Sequence, residues 1–330
     1  MKASLRQNSS EVTQFVPRMS VYMRLSLTNH CNLRCLYCNP QECSRIDHAI
    51  PLKNVEIIEL LRAIDTLAPI RKLRLTGGEP LLRFELIELI AQIREQLPSL
   101  ELTLTTNGIC LAQHAKNLKS AGLDRVNVSL DSTRQDRYRL IAGGDALGKV
   151  VKGIQALHHA GFTGTKVNTV LLRTFNGDHL AELVEFASEL GCEPRFIELM
   201  PIGPGLKLYP HEYLPAADAI EILQKNYPDV HPLGIQGTAR RYRLTDGNTV
   251  RTIGLITGVS HPFCSTCDRL RLDAFGRLFT CLRLDQGESL TKELREGDQE
   301  RLRRRIVAII DAKKPMQESW PDRRMAAIGG

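Results

Sequence analysis

A chain of 330 residues, 42% hydrophobic and 25% charged, is long enough for one large domain or two modest ones with a buried core. It holds no apolar run near the roughly 18 residues of a membrane helix, and its polar start, MKASLRQNSSEV, lacks the apolar centre of a signal peptide; a soluble, cytoplasmic protein with no membrane partner is expected. The net charge of +7, from 44 Lys and Arg against 37 Asp and Glu, is a mild excess without a long basic tail, and it suits a small polyanionic substrate as well as nucleic acid.

After a polar leader over residues 1–20, short β-rich runs alternate with helical patterns. The predicted strands are VYMRLSLT (21–28), KLRLTG (72–77), ELTLTTN (101–107), RVNVSLD (125–131), KVNTVLL (166–172) and RFIELMPI (195–202). Between them Val55, Ile58, Leu61, Ile64 and Ala68 recur at helical spacing, as do Phe84, Ile87, Ile90, Ile93 and Leu97, which predicts helices laying apolar stripes on a sheet. Strand and helix alternation implies right-handed βαβ units and a parallel sheet, either an open partial barrel or a doubly wound sheet. In both, the site lies at the C-terminal strand ends. The texture changes between 205 and 230, and we divide the chain into a core at 21–215 and a C-terminal region at 216–330. There RRYRLTDGNTVRTIGLIT reads as a hairpin across Asp246-Gly247. KELREGDQERLRRRIVAIIDAKK reads as one closing helix whose arginine run is a solvated face.

Nine cysteines in a reducing compartment are poor candidates for a disulfide framework, and two tight clusters point to metal binding. Cys43, Cys110 and Cys192 lie outside the clusters and read as small buried hydrophobes. In LTNHCNLRCLYCNP, residues 27–40, Cys31, Cys35 and Cys38 follow the first strand with C-x3-C-x2-C spacing. A structural zinc site wants four protein ligands, and no fourth is near. Three thiolates on three irons of a cubane instead leave one iron open to a small molecule. Cys264, Cys267 and Cys281, spaced C-x2-C-x13-C, repeat that arithmetic; a zinc ribbon lacking a ligand is the alternative there. Arg269 and Arg271 follow at alternate positions of a predicted strand, so both point to one face.

The C-x3-C-x2-C loop, with Tyr37 before its last cysteine, resembles the signature of the radical S-adenosylmethionine enzymes. LTGGEP (75–80) resembles that superfamily's second motif; Gly77 and Gly78 lack Cβ atoms and let a ligand approach the backbone. TTNG (105–108) and SLD (129–131) add small polar side chains at strand ends. Together with KVNTV, FIELMPIG, FCSTCDRLRL and a terminal IGG, these motifs resemble, in order over residues 18–330, the GTP 3',8-cyclase family, which opens molybdenum cofactor biosynthesis.

The resemblance implies a partial six-stranded βα barrel closed by a C-terminal segment with a second four-iron cluster. It assigns Cys31, Cys35 and Cys38 to the cluster that cleaves S-adenosylmethionine, and Tyr37, Gly78, Ser129 and Met200 to that cosubstrate. Cys264, Cys267 and Cys281 hold the cluster facing GTP. Arg24, Arg74, Thr105, Lys166, Arg269, Leu270 and Arg271 grip the nucleotide, and Arg269, Arg271, Gly329 and Gly330 stand nearest the chemistry, the Gly-Gly end threading a tunnel. A triphosphate carries about four negative charges, which arginines answer with paired hydrogen bonds. No G-x-x-x-x-G-K-[ST] loop is present, so GTP is a substrate to be rebuilt. In the implied reaction a 5'-deoxyadenosyl radical takes hydrogen from C3' of the ribose, and the C3' radical attacks guanine C8. The implied partners are a flavodoxin- or ferredoxin-type electron donor and a downstream cyclic pyranopterin monophosphate synthase, with no nucleic acid; a homodimer is compatible. Asn39 and Asp268 depart from the family's usual Met or Leu and Asn, and Asp268 is expected either to pair with Arg269 or to repel phosphate. A paralogue acting on another nucleotide, a radical peptide-modifying enzyme and a basic zinc-containing nucleic-acid binder are the rival readings.

Overall fold

The computed structural model describes residues 20–38, 50–247, 249–314, 320–322 and 325. In chain order the elements are β1 (Val21–Ser26), α1 (Asn54–Leu67), β2 (Ile70–Thr76), α2 (Leu86–Gln96), β3 (Glu101–Thr106), α3 (Leu111–Ser120), β4 (Arg125–Ser129), α4 (Gln135–Ala142), α5 (Leu147–His159), β5 (Lys166–Leu171), α6 (Leu180–Glu189) and β6 (Glu193–Glu198). The C-terminal region adds α7 (Pro204–Glu212), α8 (Ala216–Gln224), β7 (Asp229–Gln236), β8 (Ala239–Asp246), β9 (Thr249–Ile256), β10 (Arg269–Leu272), β11 (Arg277–Phe279), β12 (Glu288–Ser289), α9 (Thr291–Glu296) and α10 (Gln299–Asp311).

Among the described residues these strands form one sheet in the order β12-β11-β10-β1-β2-β3-β4-β5-β6-β9-β8-β7. Strands β1 to β6 are neighbours in sequence order and pair in parallel. A doubly wound sheet would reverse its strand order midway, so the open-barrel alternative is the one realised. The C-terminal region completes both edges, with β9 parallel to β6 and β10 parallel to β1. Residues 257–268 therefore run from one edge of the six-stranded core to the other, across its open side. The boundary set at 215 falls within this single sheet. The hairpin at Asp246-Gly247 forms between β8 and β9.

The strands alternate, apart from positions such as Thr103, which is buried and donates to the Leu73 carbonyl. Met23 and Leu25, Leu73 and Leu75, Leu102 and Leu104, Val126 and Val128, and Leu270 and Leu272 are buried in the main core with the helices. The residues between them, Tyr22, Arg24, Lys72, Arg74, Glu101, Thr105, Asn127, Lys166, Asn168, Arg195, Arg269 and Arg271, line one cavity. Because side chains on a strand point to opposite faces in turn, the sheet is apolar outward and polar inward, and it curls around a lumen built for polar contents.

Three expectations need correction. In α1 and its C-cap the expected Leu61, Ile64 and Ala68 are buried and Ile58 packs partly buried on the core, but Val55 is exposed, and Ile57, Leu60 and Leu67 complete the buried face. Phe84 precedes α2 and is fully exposed; Leu86, Leu89, Ile90 and Ile93 make the contact. The closing helix is two, because Gly297 takes a φ of +74° and Asp298 caps α10 by accepting from the Arg301 N–H. Arg303 and Arg304 are exposed on α10, as a solvated face requires. Cys192 is buried, and burial pushes its thiol up to about 12, which leaves it inert. Cys110 packs partly buried against the core; Cys43 and Asn39 lie outside the described residues. No helix among the described residues is long and apolar enough to cross a membrane.

Candidate active site

The first cysteine loop leaves β1 and is tied down at both ends. Leu27 N–H bonds Thr76 at 2.9 Å, and Arg34 and Leu36 bond the end of α4 through Ala142 and Ile141, both at 2.9 Å. The glycines of LTGGEP serve this loop directly. Gly78 N–H donates to Thr28 at 2.6 Å and Glu79 N–H to His30 at 2.7 Å, and a Cβ on Gly78 would lie 2.2 Å from the His30 carbonyl oxygen. The close approach that requires glycine is thus with the chain's own loop, while Gly78 also faces the cavity.

Cys31, Cys35 and Cys38 are partly buried thiols on the cavity wall. Burial, then Asp131 and the other two sulfurs, push the Cys35 thiol well up; burial likewise raises Cys31. Three soft donors thus crowd one another in a place that disfavours isolated thiolates and favours them when irons neutralise their charge. Among the described residues no group of three or more His, Cys, Asp or Glu converges on a single metal ion. A cubane takes each thiolate at a separate iron, and the donor chemistry fits it.

Two buried carboxylates, unnoticed in the sequence, organise this end. Glu79 accepts from Thr106 Oγ1 at 2.6 Å, Asn107 N–H at 2.7 Å and Leu81 N–H at 3.0 Å, holding the TTNG turn against the first loop. Burial raises its carboxyl to about 6 against the pull of those bonds. Asn107 in turn donates to Cys31 Sγ at 3.8 Å. Asp131 accepts from Tyr37 Oη at 2.7 Å and Val170 N–H at 2.8 Å, fixing the aromatic between two cysteines. Ser129 and Met200 line the same end.

The middle of the cavity is cationic. In register, Arg24 lies between Arg74 and Arg271, and Tyr22 between Lys72 and Arg269. Arg74 donates to Thr105 Oγ1 at 2.8 Å and Tyr22 Oη at 2.6 Å. Arg74 and Arg271 are buried, and burial lowers Arg24 to about 10. Lys166 is brought to about 8 by burial, then by Arg195. Leu270 faces the core, which leaves its backbone as the part toward a ligand.

At the far end Cys264 opens a single turn of 3-10 helix, Cys264–Thr266, and Cys267 closes it with an N–H bond to Cys264 at 3.2 Å. Cys267, Phe263 and Thr266 line the cavity. Cys281 follows β11, and Arg283 N–H donates to its sulfur at 3.4 Å. Lys313, from beyond α10, ties the set together: its Nζ donates to Arg269 O at 2.9 Å and to Thr280 O, and lies 3.9 Å from Cys267 Sγ. Glu198 at the end of β6 fixes the crossing segment. It accepts from Val259 and Ser260 N–H, both at 2.9 Å, Ala216 N–H at 3.0 Å, Tyr213 Oη at 3.4 Å and the Ser260 hydroxyl.

The cavity holds about 770 Å³ and has cysteines of both sets at its walls. Met325 also lines it. The chain reaches that point through Trp320, stacked 3.7 Å from the Arg283 guanidinium, and Pro321, whose carbonyl accepts from Gly203 N–H at 3.2 Å. Gly329 and Gly330 lie outside the described residues.

A parallel barrel with a three-thiolate loop after its first strand, backed by a glycine pair, defines the radical S-adenosylmethionine class of iron–sulfur proteins. Residues 25–187 match the model of the Radical SAM superfamily and residues 192–319 that of Molybdenum Cofactor Synthesis C. The chain is 41% identical over 320 residues to GTP 3',8-cyclase of Pelotomaculum thermopropionicum, covering 94% of this chain and 97% of that one. It is 40% identical over 323 residues to GTP 3',8-cyclase of Moorella thermoacetica, with the same coverage of 94% and 97%. The chain belongs to the GTP 3',8-cyclase family. The crystal structure of Streptococcus suis SuiB bound to S-adenosylmethionine shares the fold, with a TM-score of 0.61 at 14% identity over 80% of this chain and 61% of that one.

Proposed function

We propose that the protein is a radical enzyme that converts GTP to (8S)-3',8-cyclo-7,8-dihydroguanosine 5'-triphosphate, the first step of molybdenum cofactor biosynthesis. The observation that carries this reading is one cavity with Cys31, Cys35 and Cys38 on its wall at one end, Cys267 at the other, and the buried Arg74 and Arg271 between. Cys31, Cys35 and Cys38 would hold the first cluster, with Tyr37, Gly78, Ser129 and Met200 around the cosubstrate. Cys264, Cys267 and Cys281 would hold a second cluster. When bound, the first cluster and S-adenosylmethionine supply the electron and the radical that abstracts hydrogen from the ribose.

The chain's own part is binding, orientation and exclusion of water. Arg24, Arg74, Lys166, Arg269 and Arg271 present positive charge to a triphosphate from four strands, and at low exposure each counts for more than in water. Thr105 orients Arg74. The crossing segment 257–268 closes the open side, so the reacting ribose would stand between the two ends in a site shielded from solvent. A flavodoxin- or ferredoxin-type protein as donor and a cyclic pyranopterin monophosphate synthase as consumer of the product complete the assignment. The test is anaerobic reconstitution with iron and sulfide, then incubation with S-adenosylmethionine, reductant and GTP or ATP. Cyclised product from GTP alone supports the reading; turnover of ATP at the same rate, or of neither, opposes it.

A further inference from the structure

Four positive side chains converge on one phenol. Tyr22 points into the cavity between its cross-strand neighbours Lys72 and Arg269. Its Oη accepts from Arg74 Nε at 2.6 Å and is hydrogen-bonded by Arg24 as well. The Arg269 guanidinium stands 5.3 Å from its ring centroid and the Lys72 ammonium 5.8 Å. Arg269 has the Phe263 ring on another side, at 4.8 Å. Nearby carboxylates are engaged elsewhere: Glu101 with Lys72 at 2.9 Å, Glu193 with Arg195 at 2.9 Å, and Asp268 with Arg71. Burial raises a phenol, yet Arg74, Arg24 and Arg269 overcome it and bring Tyr22 down to about 7.

We infer that Tyr22 is a nucleotide-positioning residue: its oxygen is the internal anion that gathers Arg24 and Arg74, nucleotide phosphate takes its place, and binding takes up a proton at the phenol. The inference rests on reading the cavity as a GTP site. Guanidinium groups brought together in a partly buried wall repel one another, and an internal acceptor keeps them aligned until a stronger anion arrives. A phosphate beside a phenolate is a like-charge contact, so the phenol of the complex accepts a proton from solvent. The sign follows. Proton uptake makes affinity fall as pH rises above about 7, up to tenfold per pH unit, until the phenol of the complex itself ionises. Lys166 on β5 loses its charge over the same range and acts in the same direction, and the γ-phosphate of GTP also titrates. The share of Tyr22 is therefore the difference between the protein and Tyr22→Phe, which lacks only the hydroxyl.

The experiment is GTP binding to the anaerobic, cluster-loaded protein by equilibrium dialysis from pH 6.5 to 9, for the unaltered chain and Tyr22→Phe, with iron content as a check on folding. At pH 6.5 the variant should bind about three- to tenfold more weakly, having lost the group that aligns two arginines. Between pH 7 and 9 the unaltered protein should lose about tenfold more affinity than the variant, because only it exchanges the phenol proton. At saturating GTP, kcat should stay within about twofold, as a positioning role in binding requires. Parallel pH curves for the two proteins would overturn the role of Tyr22 and leave the GTP reading standing. Absence of GTP binding by the unaltered protein at every pH would overturn that reading and this inference together. Should Tyr22→Phe fail to take up iron, the ultraviolet difference spectrum of the unaltered protein with and without GTP at pH 8 decides, because it sees phenolate and neither Lys166 nor phosphate: loss of phenolate absorbance on binding supports the assignment, and no loss refutes it.

Discussion

Asp268 forms its ion pair with Arg71 on β2, not with the adjoining Arg269. Arg269 instead donates to Thr238 Oγ1 at 2.9 Å and stacks over Tyr22. The acid that the sequence places beside Cys267 is thus neutralised across strands, and it does not cancel Arg269.

Asp268→Asn should therefore leave stability within about 1 kcal/mol, since both partners are substantially exposed and such pairs contribute little. Freed of its acid, Arg71 adds charge at the cavity rim, and GTP should bind up to about threefold more tightly. Arg71→Ala should weaken GTP binding instead, by leaving Asp268 unpaired. Equilibrium dialysis of the two variants checks the opposite signs; weakening in both would mean that the pair itself, and not its net charge, matters.

Glu198 accepts from five donors, three of them on residues 257–268, and Glu198→Ala leaves them unmatched. A cost of about 3 kcal/mol is expected, with a fall in Tm of about 4 °C. Because that segment carries Cys264 and Cys267, iron should drop from about eight to about four per chain. Anaerobic iron analysis of the variant tests this, and a full complement would show that the segment holds its place without the carboxylate.

For Glu79 the raised carboxyl means that the folded state binds a proton more readily than the unfolded chain. Its ionisation therefore costs stability as pH rises from about 4.5 to about 6, worth about 2 kcal/mol in all. Glu79→Gln cannot titrate and loses one acceptor. It should be less stable at every pH, and the gap from the unaltered protein should be widest below pH 4.5 and narrower and flat above pH 7. Denaturant melts at several pH values give the gap directly; a gap that widens with rising pH would reverse the assigned sign.

On the proposed assignment Cys281→Ala removes a ligand from the second set and leaves Cys31, Cys35 and Cys38 unchanged. GTP turnover should fall at least about 100-fold, while uncoupled cleavage of S-adenosylmethionine stays within about threefold. Equal loss of both activities, measured as cyclised nucleotide and 5'-deoxyadenosine, would deny the two ends separate roles.

Arg269 and Arg271 were legible as one face of a strand because they follow a period of two; Arg24, Arg74, Thr105 and Lys166 came from resemblance, though the same period runs through them. Polar residues at every second position, from Tyr22 and Arg24 through Lys72 and Arg74 to Arg269 and Arg271, are unusual in parallel strands, whose two faces are ordinarily both apolar. That pattern marks a lumen open to ligands. The helix faces were harder, since α1 carries Val55, Ile57, Ile58, Leu60 and Leu61 in close succession, and only the sheet decides which side is buried. The break at Gly297-Asp298, read through as one helix, did carry a signal, a glycine helix stop followed by an aspartate cap. Glu79, Glu198, Lys313 and the Asp268–Arg71 pair were not legible, because each acts on partners up to 197 residues away that only the closed sheet brings near.

The central claim is that the cavity brings the ribose of GTP to the S-adenosylmethionine end of the barrel for hydrogen abstraction at C3'. The most direct measurement supplies GTP deuterated at C3' to the reconstituted protein and reads the 5'-deoxyadenosine formed by mass spectrometry. One deuterium in that product, formed together with cyclised nucleotide, is the predicted result. Unlabelled 5'-deoxyadenosine, or label acquired equally from deuterated ATP, would contradict it.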